Sequence, residues 1–199
     1  MIAHVDPAAA GAVAAAYADA RGSRDPLVTA AYSRLVTESD RLFRHVTSPD
    51  RPVRVRVHVA FTTCAAPYAD AHELIRSVRH DRLLEVTTVA GQRDRRHPLM
   101  GSERGGAYDR FRAVHDVLGH ARLRLGFDRD GEFAAWRSQE RFHSALAGRA
   151  LATELHGQHS VLWTTGQMAP PKAVLLDPRL VRRSVASALP PTTPTKGTS

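Results

Sequence analysis

The run Phe111-Arg-Ala-Val-His115-Asp116-Val-Leu-Gly119-His120, followed by Glu154 in Ala-Thr-Glu-Leu-His-Gly, constrains this chain more than any other feature. Two histidines and one carboxylate are the smallest set that holds a divalent metal while leaving several coordination positions open. A fold that brings them together makes a metal site with room for a substrate. The spacing restricts how that can happen. Residues five apart lie about 140° from each other on a helix of about 3.6 residues per turn. His115 and His120 therefore reach one ion only if the chain breaks at or near Gly119, where a bend or a helix end is permitted. Histidine pairs of the H-E-x-x-H type are four apart and share a face without any break.

Length and charge set the frame. A chain of 199 residues with an ordinary apolar content builds one globular domain, expected here over residues 1–189. The tail 190–199, Pro-Pro-Thr-Thr-Pro-Thr-Lys-Gly-Thr-Ser, cannot build a core and is expected to be disordered. The net charge of +8 comes almost wholly from arginine, since Lys172 and Lys196 are the only lysines. The arginines are scattered, and their densest group is Arg93-Asp-Arg-Arg96. Such a balance attracts nucleic acid non-specifically and no more. Cys64 is the single cysteine, so no disulfide forms within the chain and a reducing cytoplasm is the expected compartment. Cys64 itself is expected to be a buried thiol. No apolar run approaches the roughly 20 residues that span a bilayer. The Ala-rich N-terminus lacks a basic leader, and Asp6-Pro7 reads as a helix cap.

The patterning predicts a helix-rich α+β fold, with N-terminal helices, a small β-sheet and a C-terminal helical bundle that carries the site. Helices are expected from Asp6-Pro7 to about Ala20 and from Asp25-Pro26 to about His45, the second with an apolar stripe of Leu27, Ala31, Leu35, Leu42 and Val46. Val53, Val55, Val57, Val59 and Phe61 alternate with polar residues and read as a half-buried strand. A short helix over Ala69–Val78 and a strand over Leu83–Val89 follow, then a Gly-, Arg- and Pro-rich loop from Ala90 to Gly106. Helices are expected at about 107–118, 131–142 and 145–160, inside a site region of 107–165. Asp130-Gly-Glu is read as the cap of the second and Ser144 as the cap of the third. Ala173–Leu176 reads as a short strand.

Helical phase selects the remaining site residues. Tyr108, Phe111 and His115 fall on one face. Glu154 lies in a mostly apolar arc with Ala147, Ala150, Leu151 and Gln158. A buried carboxylate must be protonated, paired or bound to metal, and Arg112 or Arg149 could pair with it. Glu140 shares a face with Phe133 and Trp136 and is a rival ligand, or the partner of Arg137 or Arg141. Asp116 is placed to hold a histidine ring or to act as a base. Tyr108, Phe111 and Trp136 are candidate pocket walls, and Gln158 a candidate hydrogen-bonding residue for substrate. His156 and His159 lie off the Glu154 stripe and are expected to be solvated or capping.

His115-Asp-Val-Leu-Gly-His120 resembles the His-Asp/Glu-x-x-Gly-His iron motif of the aromatic amino acid hydroxylases. Thr153-Glu154-Leu155-His156-Gly157 is similar to their later Thr-x-Glu-x-Gly segment, and Ser138-Gln139-Glu140 to the Ser-Gln-Glu between them. The resemblance implies that His115, His120 and Glu154 bind Fe(II) and that a reduced pterin activates oxygen; no segment here is recognisable as a pterin-binding one. Residues 108–160 also resemble an uncharacterised bacterial and phage-associated domain, through Phe111–Asp116, Gly119-His120, Gly126-Phe127, Glu132–Trp136 and Thr153–Gln158.

These readings converge on a mononuclear non-heme iron protein that hydroxylates or oxidises a small molecule with oxygen. A zinc-dependent hydrolase using the same ligands, with Asp116 or Glu140 as base, is the alternative. A nucleic-acid or protein-binding module acting through the basic loop Arg93–Arg104 is a third reading.

Overall fold

Two Asp-Pro pairs begin the first two helices. The computed structural model describes residues 4–48, 56–90 and 97–186. In it α1 spans Pro7–Asp19 and α2 spans Pro26–Thr47. Asp6 accepts a hydrogen bond from Ala8 N and Asp25 from Leu27 N. Each proline follows its cap, where the missing N–H has no helical partner to lose. The stripe of α2 buries Val28, Ala31, Tyr32, Leu35, Leu42 and Val46, whereas Leu27 faces solvent.

Strands β1 (His58–Thr62) and β2 (Leu83–Thr87) pair in parallel, with His58 opposite Leu83. Parallel neighbours need a crossover, and α3 (Ala71–Arg76), widened into a π-turn over Ser77–Asp81, supplies it. Among the described residues the first strand begins at His58, with Val57 just before it, and Val53 and Val55 lie outside the described residues. Cys64, just beyond β1, is exposed rather than buried, because the chain leaves the sheet there.

Helix α4 (Ala107–Val114) continues through a π-helical segment, His115–Ala121. Then come α5 (Arg129–Glu140), α6 (Ala145–Ala152), a second π segment at Thr153–Gly157, α7 (Gln158–Thr165) and α8 (Pro178–Ala186). Ser144 caps α6 as expected. The cap of α5 is Asp128, which accepts from Gly131 N; Asp130 sits in the first turn and accepts from Val5 N instead. Ala173–Leu176 forms no strand: Ala173, Val174 and Leu176 pack into the core without pairing to another strand.

Helix α4 runs between two cores. Phe111 joins Tyr32, Leu35, Phe133, Trp136 and Leu151 on the helical side. Val114, Val117 and Leu118 pack with Leu84 and Val86 of the sheet on the other. Each large side chain buried this way contributes about 1.5–3 kcal/mol, so the helix that carries His115 and His120 is held from both flanks. The chain is a helix-rich α+β fold with its candidate site in the C-terminal helices. Among the described residues no helix is long and apolar enough to cross a membrane.

Candidate metal centre

The helix that carries the two histidines does not break at Gly119; it widens. Over His115–Ala121 the backbone is π-helical, and Arg122 N–H bonds to Val117 O, five residues back. Bonding at i+5 lengthens the turn by one residue, so side chains five apart come to one face. The Nε2 atoms of His115 and His120 lie 3.1 Å apart, with their rings perpendicular. Gly119 has a different task from the expected bend. A Cβ there would lie 3.0 Å from Ala135 Cβ and 3.3 Å from His115 Nδ1. Its bare backbone lets α5 dock against the π segment.

That docking delivers the carboxylate, and it is Glu132 rather than Glu154. Glu132 Oε2 stands 3.2 Å from His115 Nε2 and 3.3 Å from His120 Nε2. Three ligands bonded to one ion at about 2.0–2.1 Å are spaced about 2.9 Å apart on an octahedral face and about 3.4 Å apart in a tetrahedron. The three observed edges fall between these values. The far sides of both rings are tied down. His120 Nδ1 lies 3.2 Å from Leu125 O, which only accepts, so that nitrogen carries a proton and Nε2 is left facing Glu132 to take a second proton or a metal. His115 Nδ1 meets Gln139 Oε1 at 2.9 Å, the corresponding arrangement. All three residues are buried, and together they form a group that could hold a metal ion.

The electrostatics fit a cation-seeking site. Burial opposes the charge of Glu132, but His159, His115 and His120 outweigh it and hold the carboxyl well below its usual range. Burial also opposes a charge on His120; the hydrogen bond and charge of Glu132 overcome it and raise its pKa. His159 Nδ1 stands 3.5 Å from Glu132 Oε2, with its ring stacked on Trp163. Burial lowers the pKa of His159.

A cleft of about 530 Å³ opens beside this group. Tyr108, Phe111, Asp116 and Gln158 line it, as do His115, Glu132 and His159. Burial raises the Asp116 pKa, with the neighbouring histidines and Arg112 pulling the other way. Trp136 is not a wall of this cleft. It is fully buried and stacks flat on His156, 4.5 Å between ring centroids. Glu140 also stands apart: it pairs with Arg137 and faces Gly148 of α6.

Glu154 is buried, as its helical phase required, but its partners are not histidines of the triad. Tyr32 Oη donates to Oε1 at 2.6 Å, His97 Nε2 lies 3.0 Å from the same oxygen, and Gln158 Nε2 donates to Oε2 at 2.8 Å. Neither Arg112 nor Arg149 pairs with it. His156 and His159 are also inside rather than solvated. His156 is 2% exposed and its Nε2 meets Ser184 Oγ at 2.9 Å. Sequence reasoning did not bring Glu132 to the two histidines, although the residue opens the Glu132–Trp136 motif. It also missed Tyr32, His97 and His159.

Comparison with protein families, curated proteins and solved structures finds no match to this chain. In the basic loop, Arg93–Arg96 lie outside the described residues, and Arg104 donates to Phe61 O.

Proposed function

We propose that this chain is a metal-dependent enzyme in which His115, His120 and Glu132 bind one ferrous ion and a small molecule is oxidised with oxygen in the adjoining cleft. The observation that carries the reading is the triangle of three buried acceptor atoms, each facing the other two, with both imidazole Nδ1 atoms anchored elsewhere. Lone pairs so arranged repel one another unless a cation or a shared proton lies between them. A ferrous ion held by His115, His120 and Glu132 would supply redox chemistry to a molecule in the cleft.

The chain's own residues do the rest. Gln139 and Leu125 hold the ring orientations, the outer-shell role that raises ligand basicity. Phe127 packs edge-on to His120, 5.0 Å between centroids, and keeps water from that ligand. Tyr108 and Phe111 give the cleft an aromatic wall. Asp116 lines the cleft beside the triad, and burial makes its carboxyl a weaker acid than usual, which suits a group that exchanges a proton with substrate.

Asp116 also favours a second reading, a zinc-dependent hydrolase. A carboxylate there is placed to take a proton from water as the nucleophile forms. The metal separates the two. Protein purified without a tag or added metal is assayed by elemental analysis, alongside Glu132→Gln, His120→Ala and Glu154→Gln. Near-stoichiometric iron, lost in the first two variants and kept in the third, supports the oxidase. Zinc with the same pattern supports the hydrolase. No metal in the wild type after anaerobic loading with ferrous iron overturns both.

A further inference from the structure

Most arginines near the site have full employment. Arg110 forks onto Asp40 at 2.7 and 3.1 Å and also donates to Gly105 O. Arg122 donates to Ser138 Oγ and Leu118 O. Arg137 pairs with Glu140. Arg112 differs. Its one hydrogen bond among the described residues runs from Nη1 to Thr87 O, at 3.0 Å. A guanidinium carries five N–H donors, so most of its capacity is unspent. The side chain is half-buried and is the only lysine or arginine among the residues lining the cleft.

Its position is not arbitrary. Arg112 stands three residues before His115 on α4, and helical residues so spaced have Cβ atoms about 5–6 Å apart. The bond to Thr87 O ties the guanidinium to the end of β2, so the fork is held before any ligand arrives. Asp116 acts on Arg112 only through space, with no hydrogen bond between them among the described residues. A fixed guanidinium with donors to spare in a partly dehydrated cleft is a receptor for a carboxylate or phosphate, which it meets with two parallel hydrogen bonds. The rest of the lining is mixed: Glu85, Asp116, Glu132 and Glu154 make Arg112 the one place where an anion is met by a fixed positive charge, and Phe111, Phe127, Leu155 and Met168 give apolar walls. The volume suits a small molecule.

We propose that the cleft takes a small amphipathic acid, with its anionic group bound by Arg112 and its apolar body lying across the His115–Glu132 face. This deepens the proposed function by naming its substrate class, and it rests on the cleft being the substrate site of that metal centre. The two ideas fail separately, because metal content and acid binding are read independently.

The test uses the metal-loaded full chain and titration calorimetry. The probes are cyclohexanecarboxylate, its neutral counterpart cyclohexanecarboxamide, and inorganic phosphate. The wild type is expected to prefer the carboxylate over the carboxamide by at least about tenfold. Arg112→Gln is expected to abolish that preference while metal content and far-UV circular dichroism stay unchanged. Arg112→Lys, which keeps the charge but not the fork, is expected to retain part of it. Phosphate binding that Arg112→Gln abolishes, in place of carboxylate binding, supports the anion site and assigns it to phosphate. Equal affinity for acid and amide overturns the proposal. So does a preference that survives Arg112→Gln and disappears on metal removal, since the ion would then be the anion's ligand. Absence of binding by all three probes at millimolar concentration overturns it as well.

Discussion

Metal should stabilise this fold by an amount that depends on Glu132 and not on Glu154. A ligand that binds only the folded chain stabilises it by RT ln(1 + [L]/Kd), about 2.7 kcal/mol at a hundredfold excess over Kd. For a domain of this size 1 kcal/mol moves the melting temperature by about 2–4 °C, so the expected rise is about 5–11 °C. The structure says how far Glu132→Gln should erode it. Oε2 makes two of the three edges of the ligand triangle, at 3.2 and 3.3 Å. Loss of an outer-shell partner typically weakens metal binding 10–100-fold, and loss of a ligand should cost at least the upper figure. A hundredfold weaker site at the same metal concentration gives only about 0.4 kcal/mol, or about 1–2 °C. The assay is differential scanning calorimetry of each protein with and without metal, every variant referred to its own apo baseline. A full shift in Glu132→Gln with none in Glu154→Gln would refute the ligand assignment. A wild type unmoved by ferrous iron, zinc, cobalt or manganese would refute the metal centre itself.

Three further outcomes follow from particular contacts. Glu154→Gln should destabilise the fold by about 1–3 kcal/mol, because an amide cannot accept from Tyr32, His97 and Gln158 together; urea unfolding reads the loss, and metal content should not change. Gly119→Ala forces its Cβ against Ala135 and His115 Nδ1. Overpacking of about 1–3 kcal/mol should exceed the 0.5–1 kcal/mol or so that alanine gains in a helix. Metal affinity should fall at least about tenfold as His115 moves off Gln139, and chelator competition showing unchanged affinity would contradict this. His156 is held neutral by burial, its pKa pushed down to about 3. Its unfolded value is about 6.5, so its contribution is full above that pH and is lost as pH falls toward 3, at about 1.4 kcal/mol per unit. Between pH 6.5 and 5 the wild type should therefore lose about 2 kcal/mol more than His156→Phe, which keeps a ring on Trp136; parallel urea titrations in the two proteins would exclude this source of acid sensitivity.

What the sequence made legible is what is local. Asp6-Pro7 and Asp25-Pro26 announce their helices because capping and proline geometry act over two or three residues. Helical phase places Glu154 inside correctly, since periodicity reports burial. Burial does not report the partner. Tyr32 and His97 come from 122 and 57 residues away, and no pattern within one helix encodes that meeting. Glu132 was harder still. It follows Arg129-Asp-Gly at the start of α5, where acidic residues ordinarily serve the helix dipole and face water. Only the approach of α5 to Gly119 turns it inward against the histidines. Ala173–Leu176 was misread for a related reason: a short buried apolar run has no period of its own and takes its form from whatever surrounds it.

The spacing of the two histidines has a consequence that a regular helix hides. Ligands four apart share a face of an α-helix at no conformational cost, which is how H-E-x-x-H pairs work. Adding one residue leaves three outcomes: the ligands separate, the helix breaks, or one turn widens to i+5. The third keeps the backbone hydrogen-bonded, so the segment remains buried without orphaned amides. It also explains why a glycine stands immediately before the second histidine. The widened turn at His115–Ala121 must meet α5 closely enough for Glu132 to reach both rings, and a side chain at position 119 would hold the helices apart. π-turns of this kind recur at functional sites because their geometry is poorer than α and persists where another interaction favours it. Here a cation bound by His115, His120 and Glu132, as proposed above, would be that interaction. In this chain a His-x₄-His pair with glycine before the second histidine, inside an otherwise helical and apolar stretch, is therefore a widened turn that brings both rings to one face and not a helix end.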